Sequence, residues 1–223
     1  MNIAQEIEQL IERASDLPEG DSKIALLDQA IKLAATHQLQ RLEYTAKKEY
    51  AEAAIKAGRA EHMLVHFPWI LAYANENPLE ADPGVVLWLY AWSIFMVIDH
   101  PQVEKQQILK AIEDWSGKMQ QTKIPTYIIP GQRIEYYVHL GEEVEAERNV
   151  EELNRLFVSL EINKALKWEQ FIIAYFREKM GRLEEARALL NPFLQVGFND
   201  EYCRLAKSLM LIPLLRLGEP DLA

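Results

Sequence analysis

An all-α fold of antiparallel helix pairs is what this sequence predicts, and three observations predict it. Short turn phrases recur at nearly even intervals. The segments between them carry apolar residues three and four apart, the stripe of an amphipathic helix. The alternation of a strand is never sustained; the one β-flavoured patch, Tyr127-Ile128-Ile129, is too short to build a sheet. The turn phrases centre on Gly20, Gly58, His100, Gly141, Gly181 and Gly218, giving steps of 38, 42, 41, 40 and 37 residues. Self-similarity at a period of roughly 20–50 residues marks a repeat array. Because each unit of such an array contacts only its neighbours, no central core is needed. One elongated domain over residues 1–223 is expected, with units near 2–37, 39–77, 83–117, 127–160, 164–197 and 200–223, the last incomplete.

The spacing predicts helices over 2–16, 21–36, 39–57, 60–76, 84–99, 102–116, 128–140, 143–159, 164–180, 183–196 and 200–217, with a twelfth opening at Glu219. Ile24, Leu27, Ile31 and Ala34 form the stripe of the second helix; Leu183, Ala186, Leu190 and Phe193 repeat it near the other end. Short loops inside each pair make paired helices antiparallel neighbours. Gly58, Gly141, Gly181 and Gly218 fit the position just past a helix end, where the backbone turns left-handed and a Cβ would clash. Between pairs the expected breakers are Asn75-Glu76-Asn77-Pro78, Ser116-Gly117 and Asn199-Asp200, and the stretch from Ser116 to about Pro125 reads as a linker. Pro68, Pro130, Pro192 and Pro213 lie inside or at the edges of these helices, so kinks or shifted boundaries are expected there. The last residues, Gly218-Glu219-Pro220-Asp221-Leu222-Ala223, open a helix without a capping unit, which reads as the N-terminal part of a longer protein.

Composition narrows the function. The chain carries 24 Lys and Arg against 34 Asp and Glu, a net charge of −10. That disfavours nucleic acid and the anionic face of a membrane as partners. The most hydrophobic run, Val85 to Ile98, has 14 residues, fewer than the ~17–25 that a spanning helix needs. No basic region followed by an apolar run opens the chain, so a cytoplasmic location is expected. Cys203 is the single cysteine and reads as a small buried hydrophobe.

Aligning the turn glycines exposes small residues at fixed offsets. Ala174 lies seven before Gly181 and Ala186 five after it; Ala51 precedes Gly58 by seven; Ala146 follows Gly141 by five. A small residue on each helix lets a pair approach closely. This pattern resembles the tetratricopeptide repeat, most closely in Glu178-Lys179-Met180-Gly181-Arg182-Leu183-Glu184-Glu185-Ala186 and next in Val138-His139-Leu140-Gly141-Glu142-Glu143-Val144-Glu145-Ala146. The run Ile212 to Gly218 also looks like part of bacterial proteins with several imperfect repeats of this kind. The period is longer than the family's usual 34 residues, and His100 stands where the third unit would carry glycine. The resemblance implies a right-handed α-solenoid of about six helix pairs, whose first helices line a concave, partner-binding surface. By register, the inward positions it implies are Lys48 and Glu52, Tyr90 and Ile94, Gln132 and Glu135, Phe171 and Tyr175, and Ser208 and Ile212.

No sequence pattern points to catalysis. His62 and His66 are four apart, but Glu61 precedes the pair instead of lying within it, so the zinc-protease helix is not matched. The acids Glu142, Glu143, Glu145, Glu147, Glu151 and Glu152 stand among Arg148 and Arg155 at spacings that suit a solvated helix face. The helix bearing Trp88, Tyr90, Trp92 and Phe95 is apolar all round and should be buried on most sides. The expectation is therefore a protein- or peptide-binding scaffold without enzymatic activity, cofactor or metal. A regulatory sensor that binds a peptide or small ligand and controls an effector is the alternative, and a self-assembly module, pairing two copies as a homodimer, is a further one.

Overall fold

The computed structural model describes residues 2–98, 100–161, 169–194 and 200–218, and every regular element among them is helical. The chain divides into two compact units, Met1–Thr122 and Lys123–Ala223. The division falls inside the irregular stretch that the sequence marks as a linker.

The first unit holds α1 (Ile3–Ser15), α2 (Asp21–Thr36), α3 (Gln40–Lys56), a 3-10 segment (Ala60–Val65), α4 (Phe67–Glu76), α5 (Pro83–Ile98) and α6 (Lys105–Gln120). A capping box starts α1: the Asn2 side chain accepts from the backbone of the first turn, and Gln5 reaches back to the Asn2 N–H. Ile7 and Leu10 of α1 pack on Ala30, Ile31 and Ala34 of α2 and Ala46 of α3. The alanines let three helix axes approach, while each fully buried Ile or Leu contributes about 1.5–3 kcal/mol. Farther along, the buried Trp115 indole donates to the Leu87 carbonyl at 3.0 Å and pins α6 onto α5.

The second unit holds α7 (Ile128–His139), α8 (Glu143–Ser159), α9 (Glu169–Lys179), α10 (Leu183–Leu190) continued by a 3-10 turn (Asn191–Leu194), and α11 (Asp200–Arg216). Phe171 and Ala174 of α9, Leu190 and Phe193 of the α10 segment, and Ala206, Met210 and Leu214 of α11 share one apolar core. Helices α7 and α9 meet where Gly131 faces Glu169: a Cβ on Gly131 would stand 2.8 Å from the Glu169 Cγ.

One turn recurs in both units. Gly58, Gly141 and Gly181 adopt φ of 72°, 70° and 72°. The N–H of the next residue then bonds back five positions, Arg59 to Ala54, Glu142 to Tyr137 and Arg182 to Arg177, each at 2.8 Å. This is the left-handed helix ending that glycine favours. Gln38 and Glu161 take the same left-handed conformation without being glycine, at φ of 55° and 53°.

Three expectations need correction. The helix expected over 60–76 breaks into a 3-10 segment and α4, because Pro68 has no N–H for a helix interior and takes the first turn of a new one. Ser116-Gly117 does not end a helix: α6 runs on to Gln120, with the Ser116 hydroxyl bonded to the Ile112 carbonyl at 2.7 Å. The start of that helix moves from 102 to Lys105, capped by Glu104. Gly20 stands at the N-cap of α2, directly before the helix expected from residue 21. The expected helical residues 164–168 and 195–196, and the twelfth helix from Glu219, lie outside the described residues. Helix α11 continues through Pro213. Among the described residues no helix is long and apolar enough to cross a membrane.

Candidate functional site

The inward positions implied by register fall into three groups, one of which, Ser208 and Ile212 of α11, is exposed. Tyr90, Ile94 and Phe171 are buried. The Tyr90 ring packs 5.3 Å from that of Phe67, and its hydroxyl donates to Asp114 Oδ2 at 3.1 Å; burial, then that carboxylate, pushes its ionisation well above the usual phenol range. The Phe171 ring lies 4.2 Å from Phe193 in the α9–α11 core. These three side chains hold helices together and present little surface. Lys48, Glu52, Gln132, Glu135 and Tyr175 are half-buried and line helix faces.

In the first unit, Tyr44, Lys48 and Glu52 recur every four residues along α3. The Lys48 ammonium lies 3.0 Å from Glu49 and 3.6 Å from Glu52. Burial alone would ease its proton off, but the two glutamates outweigh burial and raise its pKa. Beneath it Tyr44 stacks on Tyr73 at 4.7 Å, and Tyr73 on Trp69 at 5.4 Å. Lys47, paired with Glu43 at 2.6 Å, closes the stack with its ammonium 4.1 Å above the Trp69 ring. The Tyr73 hydroxyl donates to Glu80 at 2.6 Å; burial and that carboxylate push its pKa up to about 12. The charged groups of this face are paired among its own residues, while the buried Tyr44 hydroxyl has no hydrogen-bond partner among the described residues.

In the second unit the arrangement is more open. Gln132 and Glu135 project from one face of α7, and the Gln132 amide donates to Glu135 Oε2 at 2.7 Å. Burial raises the Glu135 pKa, while Gln132 and then His139 pull it down. One turn on, the His139 ring stands 6.1 Å from the Tyr175 ring of α9. The Lys179 ammonium sits 5.1 Å over that same tyrosine. Gln132, Glu135, His139, Tyr175 and Lys179 thus form one strip across two helices. The sequence reading named the first, second and fourth. His139 and Lys179 escaped it, although each lies four residues after a named position and so shares its helix face.

Other singled-out residues have structural roles. His62 lies in the 3-10 segment and His66 beyond its end, so the two do not share an α-helical face. His66 packs edge-on against Tyr50 at 4.8 Å, and burial lowers its pKa. Among the acids of α8, Glu147 turns inward: Arg177 of α9 grips it bidentately, with Nη2 to Oε1 at 2.7 Å. Arg177 also lies 3.5 Å from Glu185 of α10, so one buried guanidinium ties three helices. Among the described residues no three His, Cys, Asp or Glu side chains stand close enough to hold a metal ion.

No protein-family model, curated protein or solved structure matches the chain.

Proposed function

We propose that this protein is a helical-repeat scaffold of the tetratricopeptide kind, a right-handed solenoid that binds an extended segment of a protein or peptide and performs no chemistry of its own. The observation that carries the reading is the α7–α9 strip. Gln132 and Glu135 are some 40 residues from Tyr175 in sequence, yet they share a face of α7 with His139, whose ring meets Tyr175 of α9 beneath Lys179. A half-exposed tyrosine supplies an aromatic anchor, and binding energy concentrates on such residues. The Gln132 amide and Glu135 carboxylate bond to each other at 2.7 Å, and each has further donor or acceptor capacity for the polar groups of a peptide backbone. Helices hold the strip preorganised, so the ordering cost falls mostly on the ligand.

The test is selection of peptides from a random library on the immobilised protein, followed by calorimetric titration of the best binder. Tyr175→Ala is expected to weaken it by roughly tenfold or more, and Glu135→Gln by a smaller factor, both with unchanged circular dichroism. Tyr90 and Phe171 are unsuitable for this purpose, because removing a buried side chain changes folding first. Binders indifferent to Tyr175→Ala, or a library that yields none, would refute the reading.

A further inference from the structure

Glu135 is a half-buried carboxylate that no cation answers. Ile134 and Tyr136, its neighbours on α7, are buried, and Glu135 itself is only partly open to solvent. Two side chains act on it: Gln132, whose amide donates to Oε2 at 2.7 Å, and His139 one turn on. Neither is a permanent positive charge, and among the described residues no lysine or arginine pairs with it. Burial therefore raises its pKa by more than these neighbours lower it. Elsewhere in the second unit such carboxylates are met by arginine: Glu147 by Arg177 at 2.7 Å, and Glu178 by Arg216 at 3.1 Å. Glu135 departs from that pattern.

The surroundings say what would answer it. The face of α7 leads from Glu135 to His139, and the His139 ring lies 6.1 Å from that of Tyr175. The Lys179 ammonium, 5.1 Å over Tyr175, is 3.8 Å from Glu178 and does not act on Glu135. A cation bound at Glu135 would recover the desolvation cost that the free protein carries. Of the two basic side chains, arginine fits better. Its guanidinium is more weakly hydrated than an ammonium, bonds a carboxylate through two N–H groups and lies flat on aromatic rings. Glu135 has room for both bonds: Oε1 accepts none among the described residues, and Oε2 accepts only one. The net charge of −10 favours the approach of a basic segment.

We infer that the segment bound by the α7–α9 strip carries an arginine, whose guanidinium pairs with Glu135 beside the His139 ring while the adjoining residue covers Tyr175. The inference rests on the peptide-binding reading of that strip and specifies the chemistry of the segment.

The probe is a bead library of acetylated, amidated nonapeptides built from uncharged residues except at the centre. The centre is arginine on half of the beads and citrulline on the other half; citrulline keeps the shape and removes the charge. Beads that capture the labelled whole protein but not its Tyr175→Ala variant are sequenced. Arginine is expected to exceed citrulline among them by roughly threefold to tenfold, and the excess should vanish when Glu135→Gln protein is used. In calorimetric titration of one such arginine peptide, exchange for citrulline should weaken binding to wild type by the same factor and leave binding to Glu135→Gln unchanged. Arginine and citrulline in equal numbers would overturn this inference and leave the reading of the strip standing, as would an arginine excess that persists in Glu135→Gln. Absence of Tyr175-dependent beads would overturn that reading, and the inference with it.

Discussion

Helices α5 and α9 invert what their sequences lead one to expect. Helix α5, Pro-Gly followed by VVLWLYAWSIFMVI, carries no charged residue, yet Trp88 on its outer face is 40% exposed. Trp88, Trp92 and Phe95 form an edge-to-face ladder along that side, with centroids 6.3 Å and 6.0 Å apart. Helix α9 reads EQFIIAYFREK and buries Glu169, Gln170, Arg177 and Glu178 beside its aromatic residues. The difference lies in the neighbours. Helices α7, α10 and α11 pack against α9, and Arg177 adds α8 through its glutamate. Within its unit, and among the described residues, α5 packs chiefly against α4, α6 and the 3-10 segment. Hydropathy indicates which face can be buried; the number of surrounding helices decides how much is. The charged groups of α9 find ionic partners, Arg177 in Glu147 and Glu185 and Glu178 in Arg216 at 3.1 Å, while the buried Gln170 amide nitrogen has no hydrogen-bond partner among the described residues.

Three measurements would break or sharpen that contrast. The largest effect is expected from Leu89→Ala on the inner face of α5, where the fully buried leucine leaves a cavity. A loss of about 3 kcal/mol is expected in urea unfolding, against about 1 kcal/mol or less for Trp88→Ser on the outer face. Equal losses would mean that the ladder is as much core as the inner face. Next comes Arg177→Ala, which leaves Glu147 and Glu185 without their shared cation. About 2 kcal/mol is expected, below the value for a fully buried pair because Glu147 is partly solvated. No loss would show that the polar residues of α9 are held by packing alone.

The smallest effect is a pair of opposing pH dependences in the second unit. Arg177 holds the Glu147 carboxyl below its ordinary 4.5, so the folded chain releases that proton more readily than the unfolded one. Its stabilisation is complete above 4.5 and disappears as pH falls through the lowered value. Burial lifts Glu135 above the same ordinary value. Its contribution favours folding in acid and is lost as pH rises through the raised value. Glu135→Gln should therefore flatten the loss on the alkaline side while the acid-side loss remains. A stability profile unchanged by that substitution would remove Glu135 from the account.

The legible parts of the fold are those fixed within a few residues of chain. Gly58, Gly141 and Gly181 mark helix endings because a left-handed residue is a local requirement that glycine meets cheaply. Gln38 and Glu161 meet the same requirement at a conformational cost and so gave no signal. Pro68 announced a break, but whether the chain would kink or restart could not be read from it. At the candidate site, Lys48, Glu52, Gln132, Glu135 and Tyr175 were placed on helix faces by register alone. Register could not separate them from Tyr90, Ile94 and Phe171, which occupy corresponding positions and are buried. Exposure depends on residues distant in sequence: Asp114 and Phe67 close over Tyr90, and Phe193 over Phe171.

By itself, then, the sequence determined that the chain is helical, where most helices lie and which turns join them, since periodicity and capping act over one or two turns. The tertiary structure alone decided that Glu147 reaches Arg177 and that Tyr175 meets His139. Those outcomes depend on which helices become neighbours, and that choice is made by the summed packing of the whole chain, beyond the reach of any local pattern.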